Sequence, residues 1–281
     1  MPRNSENVPS VTISGGALSF VIIAAFIGFT KWAVFKKYRV FGWAFLFTLL
    51  LFVYLKAKGY YAIGLYPILI AFGSVYLEHV LKEGRARYFR PVAIIVVVLF
   101  FIPLVKLAFP IFSPGEIAKN NQQLKDLGLL RWEDGKDHVL PQDYADMLGW
   151  SELAYKTDSA YKSIGNNENT LVLCDNYGQA GAINYYSVYK NIGAVSMSAD
   201  YINWIPLNSK EIKNVILVVD VYDDDKDRKR EKAFFKIVEK SGSIDNPYAR
   251  EKGTAIFILK DATTSINKLL EEEINEIKSK H

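Results

Sequence analysis

Apolar and polar positions divide this chain into two unlike parts. Up to Phe112 the residues form four long apolar runs separated by short clusters of charge. The pattern predicts spanning helices over about 13–35, 40–55, 60–80 and 91–109, because a bilayer core of about 30 Å needs roughly 20 apolar residues in helical form. The second run is short. Tyr38, Tyr54 and the flanking cations can anchor its ends by extending toward the interface. The third contains Pro67, expected to free one carbonyl for a neighbouring helix and to bend the segment. The fourth has the Ile94-Ile95-Val96-Val97-Val98-Leu99-Phe100-Phe101 core, with Lys106 near its end.

From Ser113 onward the pattern is that of a water-soluble domain. Helices are expected over about 116–130, 142–148, 151–164, 180–189, 229–240 and 264–278. Short β-branched runs predict strands over 170–174, 194–197, 215–220 and 255–259. The third of these is continuous enough to be buried on both faces. Strands alternating with helices point to an α/β sandwich with a mostly parallel sheet. The expected fold is therefore an α-helical membrane region of four spanning helices, 1–112, followed by a soluble α/β domain, 113–281.

Composition sharpens this picture. The mean hydropathy of +0.06 averages an apolar half and a polar one. Net charge is +4 over 281 residues. Much of the basic excess lies in the apolar half, so it is not a nucleic-acid signal. Cys174 is the sole cysteine, which excludes an intrachain disulfide and a cysteine-built zinc site. The first run is too long for a signal-peptide core and lacks a basic stretch before it. Lys31, Lys36, Lys37 and Arg39 follow the first run; Lys82, Arg85, Arg87 and Arg90 follow the third. The opposite side carries Arg3, Lys56 and Lys58. Positive loops stay inside, so the N-terminus, the 56–61 turn and the soluble domain are expected on the outer side of the membrane.

Candidate chemistry is sparse. Lys58, Tyr60 and Tyr61 lie between apolar runs. They fit an interfacial aromatic belt with flanking lysines, or a clamp in which ammonium and phenol groups hold a lipid-linked phosphate. Gly178 and Gly181 follow a strand and open a helix, as in a dinucleotide loop. The first glycine of that motif is absent, and Asp200 is a loose match for its acid. A tight strand-to-helix turn explains them better. Because ligands sit beyond the C-terminal ends of strands in open α/β sheets, Asn176, Tyr177 and Gln179 are candidates for a shallow polar site suited to a sugar or a lipid headgroup. Asp220, Asp223, Asp224, Asp225 and Asp227 could face Mg²⁺ or Mn²⁺ on a diphosphate. Arg228, Lys229 and Arg230 follow at once, and acids before a helix also favour its positive end, so no metal site or cofactor is assigned. His79, His138 and His281 are dispersed.

Several stretches resemble a known family. Lys58-Gly59-Tyr60-Tyr61, Tyr66-Pro67-Ile68-Leu69 and Ala71-Phe72-Gly73 are similar to late membrane helices of the family 39 glycosyltransferases. That group includes protein O-mannosyltransferases and lipid A aminoarabinose transferases. Leu140 to Trp150, with Asn176-Tyr177-Gly178-Gln179-Ala180-Gly181-Ala182, resembles the outer C-terminal domain of bacterial members. The resemblance implies transfer of a sugar from a polyprenyl-phosphate donor on the outer side of the membrane. It also implies a catalytic acid in a first outer loop, for which this sequence has no counterpart, so no residue is assigned to catalysis. The chain thus resembles the C-terminal half of such an enzyme, as a gene fragment or as one piece of a split protein working with a separate N-terminal membrane half. The alternative is a non-enzymatic membrane anchor that displays an α/β module to cell-envelope glycan or a protein partner.

Overall fold

The computed structural model describes residues 9–57, 59–109, 111–165, 168–207 and 210–280. The chain divides into two compact units, 1–141 and 142–281. The stretch 113–141 groups with the helical unit.

The first unit is built on helices α1 (Pro9–Lys31), α2 (Arg39–Tyr54), α3 (Tyr66–Val80) and α4 (Phe89–Ala108). Each of the first three is followed by a tight 3₁₀ segment: Ala33–Tyr38, Gly59–Leu65 and Gly84–Tyr88. Two runs among the described residues, Ala33–Tyr54 and Tyr61–Val80, are long and apolar enough to cross a membrane. Pro67 does not bend a helix interior. It occupies the first turn of α3, where its missing N–H would have had no intrahelical acceptor. Ala25, Phe29, Phe35, Phe45 and Leu69 are buried together, with Phe72 and Tyr76 packed against them. The opposite face of α2 is apolar but open: Trp43, Phe47, Leu50 and Val53 are exposed. A contiguous apolar face of this kind is matched by lipid rather than by water.

After α4, Ser113 starts a short helix, Pro114–Lys119, through a capping box with Glu116. Each residue supplies a partner for the other's backbone N–H. The expected helix over 116–130 is broken into this piece and Gln122–Asp126.

The second unit is a five-stranded mixed sheet between helical layers. Its strands are β1 (Thr170–Cys174), β2 (Val195–Ser196), β3 (Asn214–Val219), β4 (Phe235–Ser243) and β5 (Ala255–Ala262), in the order β2-β1-β3-β5-β4. The helices are α5 (Trp150–Ile164), α6 (Tyr177–Tyr186) and α7 (Ile266–Ser279). Period-two alternation sorts the core. Val172, Cys174, Ile216 and Val218 face α5 and α6, where Leu153, Ala160, Ala180 and Ile183 pack. Leu171, Val215, Leu217 and Val219 face the other layer, with Ile202, Ile266, Leu270 and Ile274. β3 is buried on both faces, as its continuous apolar run requires.

The sheet is not mostly parallel. β1 pairs parallel with β2 and with β3, whereas β5 pairs antiparallel with β3 and with β4. The cause is the segment expected as a helix over 229–240. Only Lys229–Lys232 is helical, and β4 takes the remainder. Its lysines and glutamates favour a helix weakly, but the antiparallel ladder to β5 runs from Phe235↔Ala262 to Ser243↔Ala255. That pairing outweighs a few tenths of a kcal/mol per residue. β4 is the edge strand, guarded by exposed Lys236 and Lys240 and by an irregularity between Lys240 and Gly242.

Candidate functional site

A cluster of polar groups in the second unit lies where β1 and β3 end. After β1 the chain turns one way, through α6, to reach β2. β3 lies on the other side of β1. The two connections diverge there, and such a point is where open α/β sheets take their ligands.

Asp175 stands at that point. Its N–H continues the ladder by donating to the Val218 carbonyl at 3.0 Å. Its Oδ2 accepts the Asp220 N–H at 2.7 Å, so the ends of the two strands are tied through one carboxylate. Desolvation by the surrounding protein raises the Asp175 carboxyl above its ordinary range. The Asp220 N–H opposes that shift, the neighbouring Asp223 and Asp220 charges add to it, and Arg228 opposes it. The side chain nevertheless keeps an exposed edge. An accessible carboxylate with a raised pKa beyond a strand end is the kind of group that ligand sites use. Tyr177 and Tyr222 follow β1 and β3 respectively, and both present exposed rings, 57% and 85% accessible. Tyrosines with an apolar body and a polar tip, beside carboxylates, suit a polyhydroxylated ligand.

The three residues expected to line this site are separated by the fold. Asn176 is the N-cap of α6, and its side chain accepts the Gln179 N–H at 3.0 Å. Gln179 is fully buried and points inward. Its Nε2 donates to Glu251 at 3.2 Å, and Thr254 donates to the same carboxylate oxygen. The amide thus fastens α6 to the 244–254 connection, and its Oε1 has no partner among the described residues. Tyr177 is exposed and Asn176 is half-buried. Asp175 and Tyr222 are the residues that sequence reasoning passed over. The signal was their position just beyond the two strand runs.

The glycines do not form a phosphate loop. Gly178 and Gly181 lie inside α6. A Cβ at Gly178 would meet Asn176 Oδ1 at 3.1 Å, and one at Gly181 the Tyr201 hydroxyl at 3.3 Å. Close packing explains both. Asp200 sits in the 3₁₀ segment Ala199–Trp204 and is exposed.

The acidic run 220–227 is a self-capped loop around Arg228. Asp220 accepts the Tyr222 N–H and Asp223 accepts the Asp225 N–H, at 2.9 and 2.7 Å. Asp225 accepts the N–H groups of Lys229 and Arg230, at 2.9 and 3.0 Å, and those bonds hold its carboxyl below the usual range. Asp223 pairs with the buried Arg228 guanidinium. Among the described residues no group of three or more His, Cys, Asp or Glu is arranged to hold a metal ion. His79 stacks on Trp32 and His138 on Trp132.

In the first unit, Lys58 lies outside the described residues. Tyr60 and Tyr61 belong to the 3₁₀ segment between α2 and α3. Tyr61 is exposed, with its ring 6.4 Å from that of Phe52.

No protein-family model, curated protein or solved structure gives a significant match to this chain.

One consequence for the site can be measured. A raised carboxyl pKa means that the folded protein holds the Asp175 proton to a higher pH than the unfolded chain does. The ionised group therefore weakens the fold above that range, and the penalty disappears as pH falls through the ordinary carboxylate range, where both states are protonated. Asp175→Asn retains an acceptor for the Asp220 N–H. The variant is expected to have a higher thermal midpoint at neutral pH, with the difference closing in acid. Equal midpoints at neutral pH would show that Asp175 carries no such penalty.

Proposed function

We propose that this chain acts in the transfer of a sugar from a polyprenyl-phosphate donor on the outer side of a bacterial inner membrane. In this reading α1 to α4 all span the bilayer, the 3₁₀ segment Gly59–Leu65 faces outward, and the second unit is extracytoplasmic. Lys58, Tyr60 and Tyr61 hold the lipid-linked phosphate. The acid–base chemistry comes from a separate membrane half, and the chain alone is inactive.

The observation that carries the reading is the 3₁₀ segment Gly59–Leu65. It opens the second of the two runs long and apolar enough to cross a bilayer, Tyr61–Val80, shortly after the first ends at Tyr54. A turn in that position lies at headgroup depth, where an ammonium and phenols can meet a phosphate. The cation bias of the 31–39 and 82–90 connections supports the orientation. The family resemblance at residues 58–73 supports the donor class.

Binding of a polyprenyl phosphate to the purified full chain tests this. The expected result is saturable binding that is lost for the polyprenol without its phosphate. Lys58→Gln is expected to weaken binding about tenfold, since a hydrogen bond to a charged group contributes about 1.5–3 kcal/mol. Equal affinity for phosphate and alcohol forms would overturn the reading.

The exposed Tyr177 and Tyr222 with Asp175 favour a second reading, in which the α/β unit is a non-enzymatic module for cell-envelope glycan. Under it, Tyr222→Ala abolishes glycan retention while Lys58→Gln leaves it intact.

A further inference from the structure

The connections after α1 and after α3 repeat one construction. Each is a 3₁₀ segment, Ala33–Tyr38 or Gly84–Tyr88, ending in a tyrosine. In each, an arginine from the first turn of the next helix reaches back to carbonyls near the end of the preceding one. Arg39 donates from Nε to the Phe29 carbonyl at 2.6 Å and from Nη2 to that of Thr30 at 3.1 Å. Arg90 donates from Nε to the Leu81 carbonyl at 2.9 Å and from Nη2 to that of Glu78 at 3.0 Å. The last carbonyls of a helix have no internal donors and carry partial negative charge, so these two arginines are C-terminal caps.

The cations on the 3₁₀ segments are employed differently. Lys36, Lys37, Arg85 and Arg87 are all exposed, and among the described residues none makes an ion pair. Lys37 and Arg87 lie against the rings of Tyr38 and Tyr88, at 4.9 and 5.0 Å. The Trp32 ring stacks on His79 at 4.3 Å, which brings the two connections to the same end of the helical unit. Glu78 and Glu83 are the acids in these stretches, so the end as a whole is strongly positive. The run Ala33–Tyr54, one of the two apolar enough to cross a bilayer, begins inside the first connection. Tyrosine and tryptophan favour the headgroup layer.

We propose that this end is a binding surface for anionic phospholipid headgroups, formed by Lys36 and Lys37 from one connection and Arg85 and Arg87 from the other. Charge complementarity selects the occupant: four unpaired cations at the mouth of apolar helices meet the phosphates of an anionic leaflet, and the tyrosines set their depth. The capping arginines are excluded from the surface because their donors are committed to helix carbonyls.

Native mass spectrometry of the detergent-purified full chain, with phosphatidylglycerol and phosphatidylcholine in competition, tests the proposal. The wild-type chain is expected to retain phosphatidylglycerol preferentially, and added salt is expected to erase the preference. Each cation removed lowers the preference roughly fivefold, so K36Q/K37Q/R85Q/R87Q abolishes it. The charge-conserving K36R/K37R/R85K/R87K retains it. R39Q and R90Q lower the thermal midpoint but leave the lipid preference in place. A wild-type chain with no preference at low salt overturns the proposal without reference to any variant. So does a folded quadruple glutamine variant that keeps the preference.

Discussion

Gly73→Val is expected to dismantle the packing of the first unit. A Cβ at Gly73 would sit 1.9 Å from the Val21 carbonyl oxygen and 2.8 Å from its carbon. The obstacle is backbone, which cannot turn aside as a long side chain can. Helix α1 would have to move off α3, and Ala25, Phe29 and Leu69 would lose their contacts. Small residues that let helix backbones approach closely are a main source of association where lipid removes the hydrophobic drive. Overpacking a core typically costs about 1–3 kcal/mol, and a backbone clash should lie at or above the top of that range. Alanine at this site gains up to about 1 kcal/mol of helix propensity, yet its Cβ meets the same oxygen, so Gly73→Ala should also destabilise. Gly64→Ala is the control, because a Cβ there meets nothing within 4 Å. Loss of helicity of the purified full chain under titration with a denaturing detergent measures the effect. If Gly73→Val resists as well as Gly64→Ala, the close approach of α1 and α3 is wrong.

Arg228→Met should be the most damaging single change in the second unit. The side chain is 4% exposed and sits at a left-handed backbone position, φ 51°. It pairs with Asp223, approaches Glu231 at 3.7 Å and lies 5.4 Å from the centre of the Phe257 ring. Removing it leaves two carboxylates in a partly desolvated space, and Glu231 Oε2 already has no hydrogen-bond partner among the described residues. Breaking a buried ion pair from one side costs about 3–5 kcal/mol. Asp223 is about a quarter exposed, so water softens the loss toward about 3 kcal/mol. Cys174 supplies the readout. It is the sole cysteine, it is buried on β1 beside β3, and burial raises its thiol pKa far above the usual range. Thiol labelling therefore tracks opening of the sheet. A loss of about 3 kcal/mol should speed labelling by roughly a hundredfold. Adding Asp223→Asn should recover part of it by removing the stranded charge. Unchanged labelling in Arg228→Met would show that the acidic loop is not organised around the guanidinium.

Gly73 and Arg228 lie in different parts of the chain, and their roles were unequally legible in the residues. Gly73 stood in the sequence as one of several glycines in apolar runs. Nothing in the pattern said which would meet a backbone, because that depends on how α1 crosses α3. Arg228 followed five aspartates in eight positions, and the run suggested either a metal site or the start of a helix. Asp225 accepts the N–H groups of Lys229 and Arg230 at the head of the short helix Lys229–Lys232, and Asp223 pairs with the buried arginine. The candidate site shows the same division. The expected polar site was placed at the end of the first strand, on Asn176, Tyr177 and Gln179. Yet Gln179 turned inward to Glu251, and Asp175 and Tyr222 took the exposed places.

Local periodicity carried the rest. The apolar runs before residue 112, the central strand buried on both faces and the amphipathic last helix are legible from the residues alone. The first two are written in unbroken apolar length, and the last helix in a repeat of 3.6 positions. What no local repeat encodes is which strand pairs with which. Residues 235–243, expected as helix as far as Lys240, became an edge strand because β5 offered an open ladder. That choice turned an expected parallel sheet into a mixed one. It also set the 244–254 connection against α6, where Glu251 holds Gln179. Partners distant in sequence decided those features, because a hydrogen-bond ladder stabilises a segment more than its own helix propensity does.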